Sequence, residues 1–285
     1  MMMPANVGQG RNLWAAVVIP KNFLICWQGV AGMDKLEKWI MKHAKPAGAE
    51  GTCQEHGNQY ICKECKDTGW ITLDEDGYEV MRRCRCYAVK RAEELMEKSG
   101  LPAELCKKGF RGFDTMGNPS LENARNKAIG YVQNFMEIRH GRYNSIMFCG
   151  QPGSGKTHLG TAICSSLASM GIPVIYMPYR NAMTRIKQNI TNETEYSRET
   201  RRYMEAAVLY IDDMLKGKLT ETDVNVMYEI VNYRYMNNLP LIASTEKDLE
   251  GLLVFDEATG SRIIEMCRDN IVFLKGKKLN YRMFM

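Results

Sequence analysis

The sequence predicts an α/β protein: a parallel five-stranded sheet with helices on both faces, preceded by a small zinc-binding N-terminal domain. Three observations carry that reading. From about Leu101 onward, short apolar runs rich in β-branched residues alternate with longer periodic segments; this is the pattern of a parallel sheet buried on both sides. A glycine-rich phosphate loop joins one such run to a helical segment. Upstream, four cysteines fall in two close pairs with metal-ligand spacing.

The chain has 285 residues, 45% of them hydrophobic and 25% charged, which excludes disordered and collagen-like classes. Its 38 basic and 33 acidic side chains leave a formal charge of +5. That excess permits a nucleic-acid partner without arguing for one. Ten cysteines in so long a chain, several spaced as metal ligands, point to a reducing cytoplasm. No apolar run reaches the roughly 18 residues of a membrane span, so no membrane partner is expected. Residues 13–33 come nearest, but Lys21, Asn22 and Gln28 interrupt them, and Pro20-Lys21 splits any signal-peptide core. Residues 1–32 are therefore expected to be a disordered or non-native extension, of the kind a misplaced start codon produces. Met33 precedes an ordinary helical segment at 34–43.

The N-terminal domain is expected to occupy 33–100, a helix plus the cysteine block, and the sheet domain 101–285. A charged helical segment runs from Tyr87 to about Lys98 and ends at Gly100 and Pro102, a stop signal that suits a boundary. The strands are expected at 145–149, 173–177, 207–211, 240–243 and 270–274.

The phosphate loop is Gly150-Gln-Pro152-Gly153-Ser154-Gly155-Lys156-Thr157. An apolar strand leads into it. Leu159, Ile163 and Leu167 recur at helical spacing after it, and Gly171 is placed to end that helix. Glycines let backbone N–H groups turn onto phosphate oxygens, and the helix N-terminus adds partial positive charge. Lys156 reaches the β- and γ-phosphates and Thr157 suits Mg²⁺. A second apolar strand, Val208-Leu-Tyr-Ile-Asp212-Asp213, ends in the acids that such a site needs. Asp212 would organise the metal's water and Asp213 polarise the attacking water. The interval from Lys156 to Asp212 leaves room for a helix–strand–helix unit, so the two strands are not neighbours joined directly.

Cys62-Lys-Glu-Cys65 and Cys84-Arg-Cys86 flank a hairpin-like segment, Trp70 to Val80 with Asp76-Gly77 at its turn. Two knuckles brought together by a hairpin can present four thiolates tetrahedrally to Zn²⁺, a useful staple for a domain with little core. The second pair has only one residue between its members, so replacement of one ligand by Cys53 or His56 stays open. Cys26, Cys106, Cys149, Cys164 and Cys267 read as core thiols.

Read in order, Gly-Lys-Thr-His158-Leu, Ile-Asp-Asp-Met214, Asn232 to Pro240, Ser244 to Leu252 and Gly260-Ser-Arg262-Ile resemble the AAA+ core of DnaC/DnaI-type bacterial replicative helicase loaders. DnaA initiators and IstB-type transposition ATPases are looser relatives. The resemblance covers about 101–285. It implies an ATPase that binds ATP and Mg²⁺, places a hexameric replicative helicase on single-stranded DNA, and self-assembles into a ring or spiral. It adds His158 to the nucleotide-binding residues and makes Arg262 an arginine finger acting on a neighbouring subunit's γ-phosphate. Arg234 is a weaker interface candidate. The loader family also carries a cysteine cluster in the N-terminal domain that contacts the helicase.

Two departures bear on mechanism. Thr245 and Glu246 stand at the sensor position, where many family members have asparagine at the second residue. A further carboxylate beside phosphate and two aspartates repels unless Mg²⁺ or a lysine compensates; Thr245 or Ser244 would then sense phosphate, or Glu246 orient water. Only residues 275–285 come after the last strand, too few for a helical lid, and Arg282 aligns with a terminal arginine of lidded relatives. For DNA, the segment 179–202 offers Arg180, Arg185, Lys187, Arg198, Arg201 and Arg202 with Tyr179 and Tyr196, a composition suited to phosphate contact and base stacking. Two other functions fit the same site: a nucleotide-switched adaptor with little turnover, and an IstB-like transposition helper.

Overall fold

The computed structural model describes residues 60–284 apart from 76–77, 108 and 277–278. The expected extension, the helix at 34–43, Cys53 and His56 lie outside the described residues. The first elements are β1 (Trp70–Glu75) and β2 (Tyr78–Arg83), paired antiparallel from Trp70↔Arg83 to Glu75↔Tyr78, as the cysteine-block reading expects. Helix α1 (Arg85–Ser99) comes next, capped by Gly100 in the left-handed conformation at φ 76°.

After α2 (Ala103–Cys106) and α3 (Pro119–Ile138) comes the sheet domain. Its elements in chain order are β3 (Ile146–Gly150), α4 (Lys156–Ser169), β4 (Val174–Pro178), α5 (Tyr179–Gln188), α6 (Glu193–Met204), β5 (Val208–Met214), α7 (Glu221–Met236), β6 (Leu241–Thr245), α8 (Leu249–Phe255), α9 (Glu257–Met266), β7 (Ile271–Leu274) and α10 (Tyr281–Phe284). The strands pair in the order β4-β5-β6-β3-β7, every pair parallel. All five expected strands are present. Most are shifted a residue or so toward the C-terminus, and β5 continues through both aspartates, because a reading by apolar runs stops where polarity begins. The expected boundary at Gly100 does not detach α1 from the sheet domain. Leu95 and Ser99 are buried, Met96 lies against the large core, and α1 packs on α4 and β4.

Period-two alternation splits the core into two layers. Ile146, Phe148, Val208, Tyr210 and Ile242 face α3 and α4; Met147, Cys149, Leu209, Ile211 and Ala243 face α5, α7 and α9. Each large apolar side chain so enclosed contributes about 1.5–3 kcal/mol. The strands β3, β5 and β6 therefore end together on one edge of a rigid slab, where loops can place chemistry. The Lys156–Asp212 interval holds α4, β4, α5 and α6, as expected, and in the sheet β6 lies between β3 and β5.

Arg234 corrects an expectation. It is fully buried, not a partly exposed interface residue. One terminal nitrogen donates to the carbonyls of Tyr203, Met204 and Ala206, and the other to Pro240. It thus ties the end of α6 and the entries to β5 and β6. Burial draws its pKa down to about 9, so it remains charged at neutral pH, compensated by carbonyl dipoles. Arg234→Met will leave those carbonyls unpaired and cost on the order of 3 kcal/mol, read as a lower denaturant midpoint.

Candidate functional site

The phosphate loop leaves β3 and enters α4 through two left-handed glycines, Gly153 at φ 74° and Gly155 at φ 86°. A side chain at Gly155 would also strike the ring of Phe113, and one at Gly153 would strike Asn280. The loop is thus held from both ends of the domain. His158, one turn into α4, pairs through Nε2 with Gly109 O at 2.7 Å and meets the Phe113 ring edge-on at 5.4 Å. That places His158 as a fastener of the 109–113 segment beside the loop. Tyr281 N donates to Gly153 O at 3.0 Å, and its ring lies 6.0 Å from Phe113. Tyr281 on α10 thus lies against the phosphate loop, and the Arg282 side chain is exposed.

Inside the loop, Ser154 is buried and bonds Gln151 O at 2.8 Å, while Pro152 is exposed at the tip. Lys156 Nζ donates to the carbonyls of Gly150 and Gln151, each at 2.8 Å. Burial lowers its pKa, and the Glu246 and Asp213 carboxylates act against that lowering. This is an ammonium parked on backbone oxygens at the head of a helix, available to an anion that offers better partners.

Asp212 is almost enclosed. Its Oδ1 accepts from Thr157 Oγ1 at 2.9 Å, from Tyr210 OH at 2.7 Å and from Ser244 Oγ; its Oδ2 accepts from Tyr176 OH at 3.0 Å. The pKa values of both phenols are pushed up, by burial first and by Asp212 next, so both stay protonated donors. The carboxylate and hydroxyl expected to share a cation are therefore already adjacent, and the carboxylate is aimed by neighbours on three strands.

Asp213 N donates to Ser244 Oγ at 2.9 Å, so Ser244 contacts both aspartates. Thr245 does not reach them: it is fully buried, and its hydroxyl donates to Met214 O and accepts from Lys247 N. Glu246 pairs with Lys216 at 2.9 Å, and Lys216 also pairs with Asp213 at 3.0 Å. A lysine thus resolves the expected repulsion at the sensor position.

Arg262 stands on α9. It donates to Ala258 O at 2.7 Å and lies 5.4 Å from the ring centroids of both Tyr228 and Tyr235 on α7. The basic segment also departs from expectation. Tyr179 is buried, and Tyr196 is partly buried with its hydroxyl on Glu229, so neither ring is presented for stacking as expected. Lys187 pairs with Asp223, Arg185 with Tyr203 and Glu199, and Arg198 with Glu195. Arg180, Arg201 and Arg202 remain exposed.

The sequence reading missed Tyr176, Tyr210 and Lys216. Tyr210 was findable, since it lies two residues before Asp212 on the same strand face. Tyr176 arrives only through the β4–β5 register Pro178↔Asp212.

In the cysteine block, Cys62 Sγ lies 3.6 Å from Cys84 Sγ and Cys65 Sγ lies 3.3 Å from Cys86 Sγ. All four sulfurs fall within 4.8 Å of one another. Tetrahedral Zn²⁺ with ligands at about 2.3 Å needs sulfurs about 3.8 Å apart, so the set fits. Asp67 shapes the first knuckle by accepting from the Ile61 and Cys62 amides; Gly69 N donates to Cys65 Sγ at 3.3 Å. Burial acts to raise the Cys65 thiol, but hydrogen bonds from Cys86, Gly69, Cys62 and Cys84 outweigh it and bring it down to about 7. Burial pushes the Cys84 and Cys86 thiols up. One thiolate forms readily, and a bound cation would supply the charge that draws off the remaining protons.

Similarity to known proteins agrees with this geometry. The profile of the family described as "IstB-like ATP binding protein" matches residues 86–260. The chain belongs to that family. Its IstB/DnaC-like AAA+ ATP-binding domain implies ATPase activity in general. A relative, the phage-like element PBSX protein XkdC of Bacillus subtilis, is 37% identical over 253 residues, covering 86% of this chain and 94% of that protein. The replicative helicase loader DnaC of Escherichia coli is 28% identical over 149 residues, 51% of this chain and 57% of the loader. Among solved structures, a crystal structure of DnaI superposes with a TM-score of 0.52 at 20% identity, covering 62% of this chain and 94% of that one; this is a likeness of fold. The family match begins inside α1, in line with the packing of that helix on the ATPase core. Among the described residues no helix is long and apolar enough to cross a membrane.

Zinc content gives an independent check of the N-terminal centre. Protein purified without added metal will carry about one Zn²⁺ per chain, and a strong chelator will remove it. Cys84→Ser will abolish that stoichiometry in elemental analysis. A wild-type preparation with neither zinc nor iron would remove the metal from the account.

Proposed function

We propose that the chain is an ATP-dependent loader that places a hexameric replicative helicase on single-stranded DNA. The observation that carries the ATPase half is the contact of Thr157 with Asp212 beside Lys156 at the mouth of the phosphate loop. The cysteine knuckle joined through α1 to that core supports a loader over a transposition helper. Similarity to a helicase loader and to a phage-like element protein supports a loader that serves such an element's replication.

In this reading the amides of Gly153, Ser154 and Gly155 and the amine of Lys156 bind the phosphates of ATP. Thr157 and Asp212 would hold Mg²⁺, which would supply positive charge to neutralise the phosphates. Tyr176, Tyr210 and Ser244 keep the Asp212 carboxylate turned toward that position. Asp213 orients the attacking water once it is released from Lys216. Arg262 leaves the α7 rings to meet the γ-phosphate of a neighbouring subunit in a ring or spiral. Arg180, Arg201 and Arg202 contact DNA phosphates, so binding weakens steeply with salt. The zinc-binding domain contacts the helicase.

One observation favours a second reading. Asp213 is held by Lys216, which suits a switch that binds ATP with little turnover. Steady-state ATPase rates with and without single-stranded DNA and helicase separate the two: a loader motor is stimulated, and a switch stays slow under every condition. A transposase rather than a helicase as the stable partner would favour the transposition helper.

A further inference from the structure

Strand β5 does not end plainly. Asp213 and Leu215 both take left-handed backbone conformations, at φ 53° and 61°, although neither is glycine. The register with β6 slips between Ile211 and Met214. Such conformations persist only where surrounding structure enforces them, and here Leu215 is buried in the core. The result is a tight reversal in which Lys216 N donates to Asp213 O at 3.2 Å. The Lys216 ammonium then sits between Asp213 Oδ2 at 3.0 Å and Glu246 Oε1 at 2.9 Å. Glu246 lies just past the end of β6, so the reversal joins the ends of two strands beside the phosphate loop.

We propose that Lys216 is a positioning residue that sets the preference of the site for triphosphate over diphosphate, acting through Asp213 and Glu246. This rests on the ATPase reading above. Without Lys216 the mouth of the site holds three carboxylates against the single amine of Lys156. With it, the two outer carboxylates share a cation, and a terminal phosphate can enter beside them. The penalty for removing the cation falls on the charge that comes nearest, the γ-phosphate, and a diphosphate that ends short of the pair is spared most of it. Glu246 and Asp213 also act on Lys156, after the burial that lowers its pKa, which places both carboxylates within electrostatic reach of the phosphate-binding amine. Lys216 itself is held protonated, chiefly by Glu246 and next by Asp213.

The test is equilibrium titration of the full chain with a fluorescent non-hydrolysable ATP analogue and with fluorescent ADP, both in Mg²⁺. Lys216→Met should weaken the ATP analogue about 10-fold and ADP less than about 3-fold. Lys216→Arg should keep the wild-type preference. Adding Glu246→Gln to Lys216→Met should restore binding of the ATP analogue, because it removes the uncompensated charge. Glu246→Gln alone, which depends on no damaged variant, should shift the preference further toward ATP. Equal losses for both nucleotides, no restoration in the double variant, or an unchanged preference in Glu246→Gln would overturn the inference while leaving the ATPase reading intact. A wild-type chain that binds neither nucleotide would sink both.

Discussion

Lys156→Ala chains will fold but lose ATP. The ammonium is buried and bonded to two loop carbonyls, so it is poised for phosphate rather than needed for packing. Removing a buried, hydrogen-bonded charge partner costs a ligand about 2–5 kcal/mol, roughly 30-fold to several-thousand-fold in affinity. Thermal stability should change little, because burying the ammonium is itself costly. Isothermal titration with ATP and Mg²⁺ checks the first half and a melting curve the second. Wild-type affinity in this variant would remove the phosphate loop from the account.

Arg262→Ala will bind ATP almost normally and hydrolyse it on the order of 10³-fold more slowly, the scale of an arginine finger. Within its own chain Arg262 touches its own helix and the rings of Tyr228 and Tyr235. Its loss therefore leaves the resident phosphate loop intact. The lost ring contacts should cost about 1 kcal/mol of stability, a separate readout in the melting curve. Mixing Arg262→Ala with Asp212→Asn chains should restore part of the activity, since intact Asp212 sites then face intact Arg262 neighbours. A purely structural arginine predicts no kinetic loss. An arginine acting in its own chain predicts loss without rescue in oligomers shown to be mixed.

Legibility along the chain tracks how local each signal is. The phosphate loop is written in consecutive residues, and the strands announce themselves by composition, so both were legible. So were the four cysteines, whose spacing alone brings two knuckles to one hairpin. The surroundings of Asp212 were only half legible. Tyr210 shares its strand, but Tyr176 comes from β4, and strand pairing is a property of the sheet. Lys216 was hidden because left-handed backbone at Asp213 and Leu215 carries no glycine to signal it; a plain strand end would have pointed Lys216 elsewhere. Arg234 misled because composition does not distinguish a guanidinium facing water from one spanning four carbonyls. Tyr179 and Tyr196 misled in the same way. Aromatic residues among arginines suit base stacking, but here one ring is buried and the other is partly buried and bonded to Glu229.

In the proposed loader, ATP binding at Lys156 and Asp212 drives helicase loading. This is tested most directly by reconstitution with the purified partner helicase on a forked DNA whose single strand is coated with single-stranded-DNA-binding protein. Unwinding should depend on this chain and on ATP, and should be lost with Lys156→Ala. Unwinding that proceeds equally without the chain, or equally with Lys156→Ala, would show that ATP binding by this chain does not load the helicase.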